Sequence, residues 1–152
     1  MNRLKHWLGL ALLGAIFSSP SSADDLIMAR SGSLFPEAMI LLQNAISARG
    51  YTITRLQEVN ENLARRKFKS DVYRVVYFGK YEEIKAVTAK NPELIPFLPL
   101  SITIFAEGHQ AILVTNHPRT LQNFFPDPAL TPVFERWKTD VLAIMDEVRE
   151  AK

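Results

Sequence analysis

Histidine, serine and the carboxylates are the side chains of this 152-residue chain that could act on a bond or hold a metal, since cysteine is absent. Histidine comes first, as the commonest metal ligand and a frequent general base. His6 falls in an N-terminal leader. His109 and His117 stand at the two ends of one apolar strand, about 26 Å apart at ~3.3 Å per residue. One ion cannot bridge that gap, and neither residue has the HxxxH or HExxH spacing of a zinc site. His109 reads as a solvated turn residue. His117, in Asn116-His117-Pro118, sits where a strand runs into a proline-rich connection and stays a site candidate. A serine nucleophile needs a neighbouring base, but no GxSxG elbow occurs and the serines cluster in the leader or at helix caps such as Ser33. Glu58 and Glu107 are carboxylates that two strands could bring together for glycoside chemistry, yet nothing in their spacing calls for it. None of the six glycines forms a phosphate-cradling loop. No catalytic or metal-ligating set emerges, and no cofactor is expected.

Two surface features are more unusual than any of these. Residues 91–100 (NPELIPFLPL) and 123–132 (NFFPDPALTP) are apolar loops stiffened by proline, which pins its neighbours to extended conformations and removes hydrogen-bond donors. They lid the ends of the core or rim an apolar pocket or subunit interface. As a pocket rim the candidates are Tyr77, Lys80, Pro96, Phe97, Pro99, Asn116, His117, Phe124 and Phe125. The second feature is a basic cluster, Arg65, Arg66, Lys67 and Lys69, with Phe68 in its middle. It reads as a solvated connection or as a docking patch for an acidic protein or an anionic lipid surface.

The elements that would position these residues follow from the hydrophobic pattern. Met1 to Ala23 has a basic head (Arg3, Lys5, His6), an apolar run from Trp7 to Phe17 and a small-residue tail ending Ser21-Ser22-Ala23. That is a secretory signal cut before Asp24. The run is shorter than the about 20 residues a membrane span needs, so the expectation is a free periplasmic or secreted domain over residues 24–152, with no membrane anchor. Losing Arg3 and Lys5 lowers the 18 basic side chains to 16, equal to the 16 acidic ones. Nucleic acid, bound largely through neutralised phosphates, is therefore not the expected partner.

Leu26–Ala29 reads as a first strand. A helix capped by Ser33 follows, with Phe35, Met39, Leu42 and Ile46 at helical spacing and Gly50 closing it in a left-handed conformation. Tyr51–Val59 is a second strand whose parity breaks between Ile53 and Leu56, the mark of a bulge. One helical turn is expected around Asn62–Arg66. Val72–Phe78 (VYRVVYF) is nearly continuous in β-branched and aromatic residues, the pattern of a central strand. A short helix over Tyr81–Lys90 precedes a hairpin of Leu100–Phe105 and Ala111–Thr115. Thr131 as cap and Pro132 at the first helical position open a long last helix, with Phe134, Trp137, Val141, Ile144, Met145 and Val148 as its buried stripe. This order predicts an α+β domain, an antiparallel sheet of about five strands with helices packed on one face. The alternative is a ferredoxin-like core with an added strand and helix.

Several of these segments carry a resemblance. Tyr73-Arg74-Val75-Val76-Tyr77-Phe78-Gly79-Lys80, the segment Asn91 to Leu100, an Ile/Phe-rich strand, Glu107-Gly108 and Asn116-His117-Pro118 together resemble the domain of unknown function 302 family, over roughly residues 42–125. The family pattern has Gly-Asn-Pro after the first of these strands and then Gly-Thr-Pro-Leu. Here Gly79-Lys80-Tyr81 and Glu82-Glu83-Ile84 stand instead, which marks a divergent member. The resemblance implies a fold like that of the TATA-binding protein without its DNA-binding role, and dimers; it implies no activity. The reading of function is thus a non-enzymatic exported module that binds a small apolar ligand or serves a partner such as a periplasmic redox protein. The alternatives are a structural homodimer and an enzyme using His117, Arg74, Tyr77 and Lys80. Arg74 and Tyr77 are three apart on a strand and so face opposite sides, which weighs against the enzyme.

Overall fold

The computed structural model describes residues 25–67 and 71–151; the leader, with its expected cut after Ala23, lies outside the described residues. The chain runs β1 (Leu26–Ser31), α1 (Phe35–Ala48), β2 (Thr52–Glu58), α2 (Val59–Arg65), β3 (Tyr73–Gly79), α3 (Tyr81–Lys90), a 3-10 segment (Pro92–Phe97), β4 (Leu100–Glu107) and β5 (Gln110–Asn116). A second 3-10 turn (Pro118–Thr120), a single-turn helix α4 (Leu121–Phe124) and the long α5 (Thr131–Glu150) complete it. The five strands form one sheet in the order β1-β5-β4-β3-β2, every pairing antiparallel. The expected α+β architecture is therefore the one formed. A ferredoxin-like core would put β1 inside the sheet, whereas here β1 and β2 are its two edges and α1 crosses from one to the other.

Strand alternation divides the side chains between two faces. Ala29, Val76, Phe78, Ile102, Ile104, Ala111 and Leu113 point to one face. There they bury against Ala38, Leu42, Ala45 and Ile46 of α1 and Val141, Ile144, Met145 and Val148 of α5. The periodic stripes read from the sequence on both helices are the stripes that are buried. The bulge in β2 falls between Ile53 and Arg55, with Ile53 opposite Phe78 and Leu56 opposite Val76. One extra residue restores Leu56 to the face that Ile53 occupies, which explains the broken parity. Gly50 ends α1 with φ +73°, a conformation a side chain disfavours. Gly79 has a different reason to be glycine: a Cβ there would lie 2.4 Å from Cδ1 of Ile84, so α3 can fold back onto the end of β3 only because none is present.

Three local expectations are corrected. Ser33 does not cap α1: the N-cap is Leu34, and the Ser33 amide donates to the Ser31 hydroxyl instead. Thr131 is the first residue of α5 rather than its cap, which is Leu130. The single turn expected at Asn62–Arg66 is a seven-residue helix that begins at Val59, straight after β2.

Candidate functional site: the uncovered face of the sheet

The candidate rim residues are distributed over three places. Pro96, Phe97, Phe124 and Phe125 meet at the proline-rich end, where Phe97 and Phe125 pack edge to face with centroids 5.4 Å apart. Beneath them Leu94, Leu121, Leu130, Phe134 and Trp137 form a second, smaller core. The two proline-rich loops thus fill their own concavity with side chains, leaving Ile95, Phe97 and Phe124 exposed on top. Pro99 begins β4 next to Gly79. His117 acts as a cap: its Nδ1 accepts the Arg119 amide at 3.0 Å, and its own amide donates to the Asp25 carbonyl. His109 lies in the β4–β5 turn, at the other end of β5.

Lys80 belongs to a different cluster, on the helix side. Its ammonium sits 4.3 Å above the Tyr51 ring and 3.8 Å from Asp140 of α5. The Tyr51 hydroxyl donates to Asp140 at 2.7 Å. Burial, then the hydrogen bond to the Asp140 carboxylate and that carboxylate's charge, push the phenol well above its ordinary range. Next to it, Glu83 of α3 accepts the Trp137 indole N–H at 2.9 Å and pairs with Arg136. These contacts tie α3 and the end of β3 to α5. Arg74 is remote from them, paired with Glu58 at 3.0 Å and with Asn60. Arg74 and Tyr77 lie on opposite faces, as their spacing required, so the four residues considered for an enzyme do not share a site. Among the described residues no group of three His, Asp or Glu side chains could hold a metal ion.

Of the basic cluster, Arg65 ends α2, Arg66 is its C-cap and Lys67 follows with φ 65°, all three exposed. Lys69 and Phe68 lie outside the described residues. A cleft of about 640 Å³ runs between the start of α1 and the end of α5, lined by Ser33, Leu34, Glu37, Arg149 and Glu150. Its one cation, Arg149, is already shared between Asp146 and Glu150.

Tyr77 and Asn116 are the two rim candidates that point away from the helices, and they lead to the largest open surface. Neither long helix covers the second face of the sheet. Pairing register lays its side chains out in rows across the strands. The central row is Met28, Val114, Thr103, Val75 and Gln57. The row on one side is Arg30, Ile112, Phe105 and Tyr73; on the other side Tyr77 stands between Ser101 and Arg55, and Asn116 opposite Leu26. None of the large apolar members except Ile112 is buried, Met28 being 64% and Leu26 56% exposed. Tyr73 and Phe105 pack edge to face at 6.3 Å. The Arg55 guanidinium stacks 4.2 Å over the Tyr77 ring, whose hydroxyl donates to Gln57 at 3.3 Å. Arg30 pairs with Glu107 at the far corner and with Gln110 at 3.2 Å.

An antiparallel sheet with one solvated face normally shows polar residues on it. Here the three central strands show Tyr73, Val75, Tyr77, Thr103, Phe105, Ile112 and Val114. The nearly unbroken apolar run of β3, read as the mark of a strand buried on both faces, is buried on one. The sequence signal for this face was in hand; what sequence could not supply was which layer lacked a cover.

A two-layer α+β domain with an open apolar sheet face and no assembled catalytic group among the described residues is the class these features define. A family model, domain of unknown function DUF302, matches residues 28–151, and the chain belongs to that family. The fold is also that of the crystal structure of an uncharacterized conserved DUF302 protein from Bacillus stearothermophilus. The two share 19% identity and a TM-score of 0.76, over 84% of this chain and 100% of that one. No curated protein matches the sequence.

Proposed function

We propose that the protein is a non-enzymatic binding module, exported through its N-terminal leader, whose working surface is the uncovered face of the sheet. One observation supports this above the rest: the central strands present aromatic and β-branched side chains to solvent where a solvated face would carry polar ones. The face is flat and aromatic, with Arg55 held against Tyr77. This is the composition of an interaction hot spot, which favours Tyr and Arg, rather than of the concave site a small molecule needs. The occupant is accordingly a protein surface, and the exposed aromatics of the proline-rich end extend the apolar area beside it. No helix among the described residues is long and apolar enough to cross a membrane.

The test compares neighbours on β3. Val75 faces the open side and Val76 the core, where it is fully buried. Val75→Lys should keep the parent melting curve to within about 1 kcal/mol, as substitutions outside a core do. Val76→Lys should fail to fold, because an unpaired charge would be buried. If Val75→Lys also unfolds the protein, the face belongs to the fold and is not a spare surface.

A further inference from the structure

From the dimensions and charge of the open face, and resting on the reading above, we infer that its occupant is a second copy of this chain, packed sheet against sheet. Five strands at ~4.8 Å spacing make the face roughly 24 Å wide, and the six steps from Ser101 to Glu107 make it about 20 Å long. Each copy would thus contribute about 500 Å² and a pair about 1,000 Å², the lower limit for a specific interface. That area is enough for a weak pair and too small for an obligate one.

The charges on the face permit self-pairing. Arg30 is neutralised within its own chain by Glu107, so Arg55 is the remaining cation. A twofold axis along β4 places the two Arg55 side chains over opposite edges, about 19 Å apart. That exceeds the ~8 Å Debye length at physiological salt, so they do not repel appreciably. The same axis sets Thr103, the middle of the central row, against its own copy. Val75 of each chain then lies over Val114 of the other, because β3 and β5 flank β4 on either side. A uniformly charged face would have opposed this arrangement by like-charge contact; this one does not. The resulting stack places helices outside and the two sheets in the middle, about 10 Å apart, so both apolar sheet faces are covered.

Sedimentation of the purified protein over a concentration series tests this. The weight-average mass should climb from the monomer toward twice that value, with a midpoint on the order of 10–100 µM, as suits an interface at the lower size limit. Thr103→Arg, in the middle of the face, should move the midpoint at least about tenfold upward, and so should Met28→Lys. Met28 is so exposed that its replacement does not endanger folding. A mass that stays monomeric up to about 1 mM, some tenfold or more above the expected midpoint, overturns the pairing, as does association that both variants leave unchanged. A monomeric protein whose Tyr73 and Tyr77 are nevertheless shielded in cells overturns the second copy alone and leaves the binding face standing. Shielding in neither setting overturns both.

Discussion

Trp137 shows at the scale of one residue how an apolar stripe becomes a joint. It is 1% exposed in the smaller core, beside Phe134, and its indole N–H is satisfied by Glu83 of α3. Truncation to alanine removes the packing and leaves a buried carboxylate without a donor. Trp137→Ala should lose about 3–5 kcal/mol, read as a large drop in melting temperature, whereas Lys138→Ala should change stability by no more than about 0.5 kcal/mol. Tyr51 gives a pH-dependent counterpart. Its proton is held more tightly in the folded state than in the unfolded chain, where the phenol titrates near about 10. Its contribution is therefore full below that pH and falls as pH rises through the higher folded value. Tyr51→Phe should cost about 1 kcal/mol at neutral pH and flatten the loss of stability above pH ~10, measured by denaturant titration at several alkaline pH values. An alkaline profile identical to the parent's would show that other groups set it.

At the scale of elements, most of the fold was legible because the periodicities were clean. Phe134, Trp137, Val141, Ile144 and Val148 could only be one face of a helix, and Tyr73–Phe78 could only be a strand. The caps were less legible. Ser33 and Thr131 have the right side chains, but the chain enters both helices with prolines in the first turn and uses Leu34 and Leu130 as caps; Pro36 and Pro132 lack the amide a capping oxygen would accept. Gly50 was legible because a helix followed closely by a strand needs a left-handed residue between them. Gly50→Ala should cost about 1–2 kcal/mol, seen as a lower denaturation midpoint with unchanged slope. Equal stability would mean that the α1–β2 turn relaxes to another conformation. The candidate site was legible only in part. Tyr77 and Asn116 belong to the open face, but Arg55, Gln57, Tyr73, Val75, Phe105, Val114 and Met28 were read as strand residues without a role. Alternation gives two faces and does not say which one the helices choose.

At the scale of the whole molecule the sheet is a partition between a completed side and an incomplete one. Two helices bury one face, a pair of proline-rich loops seals one end, and the remaining face keeps its aromatics in water. A bare apolar face of this kind marks an interaction surface. Oxidative footprinting of Tyr73 and Tyr77 tests that account most directly, comparing the protein inside exporting cells with the purified protein at high dilution. The account predicts that both tyrosines react freely in the dilute sample and are protected in the cell, while the exposed Tyr81 on α3 reacts equally in both. Equal reactivity of Tyr73 and Tyr77 in the two settings would mean that the face stays bare where the protein works, and would contradict the account.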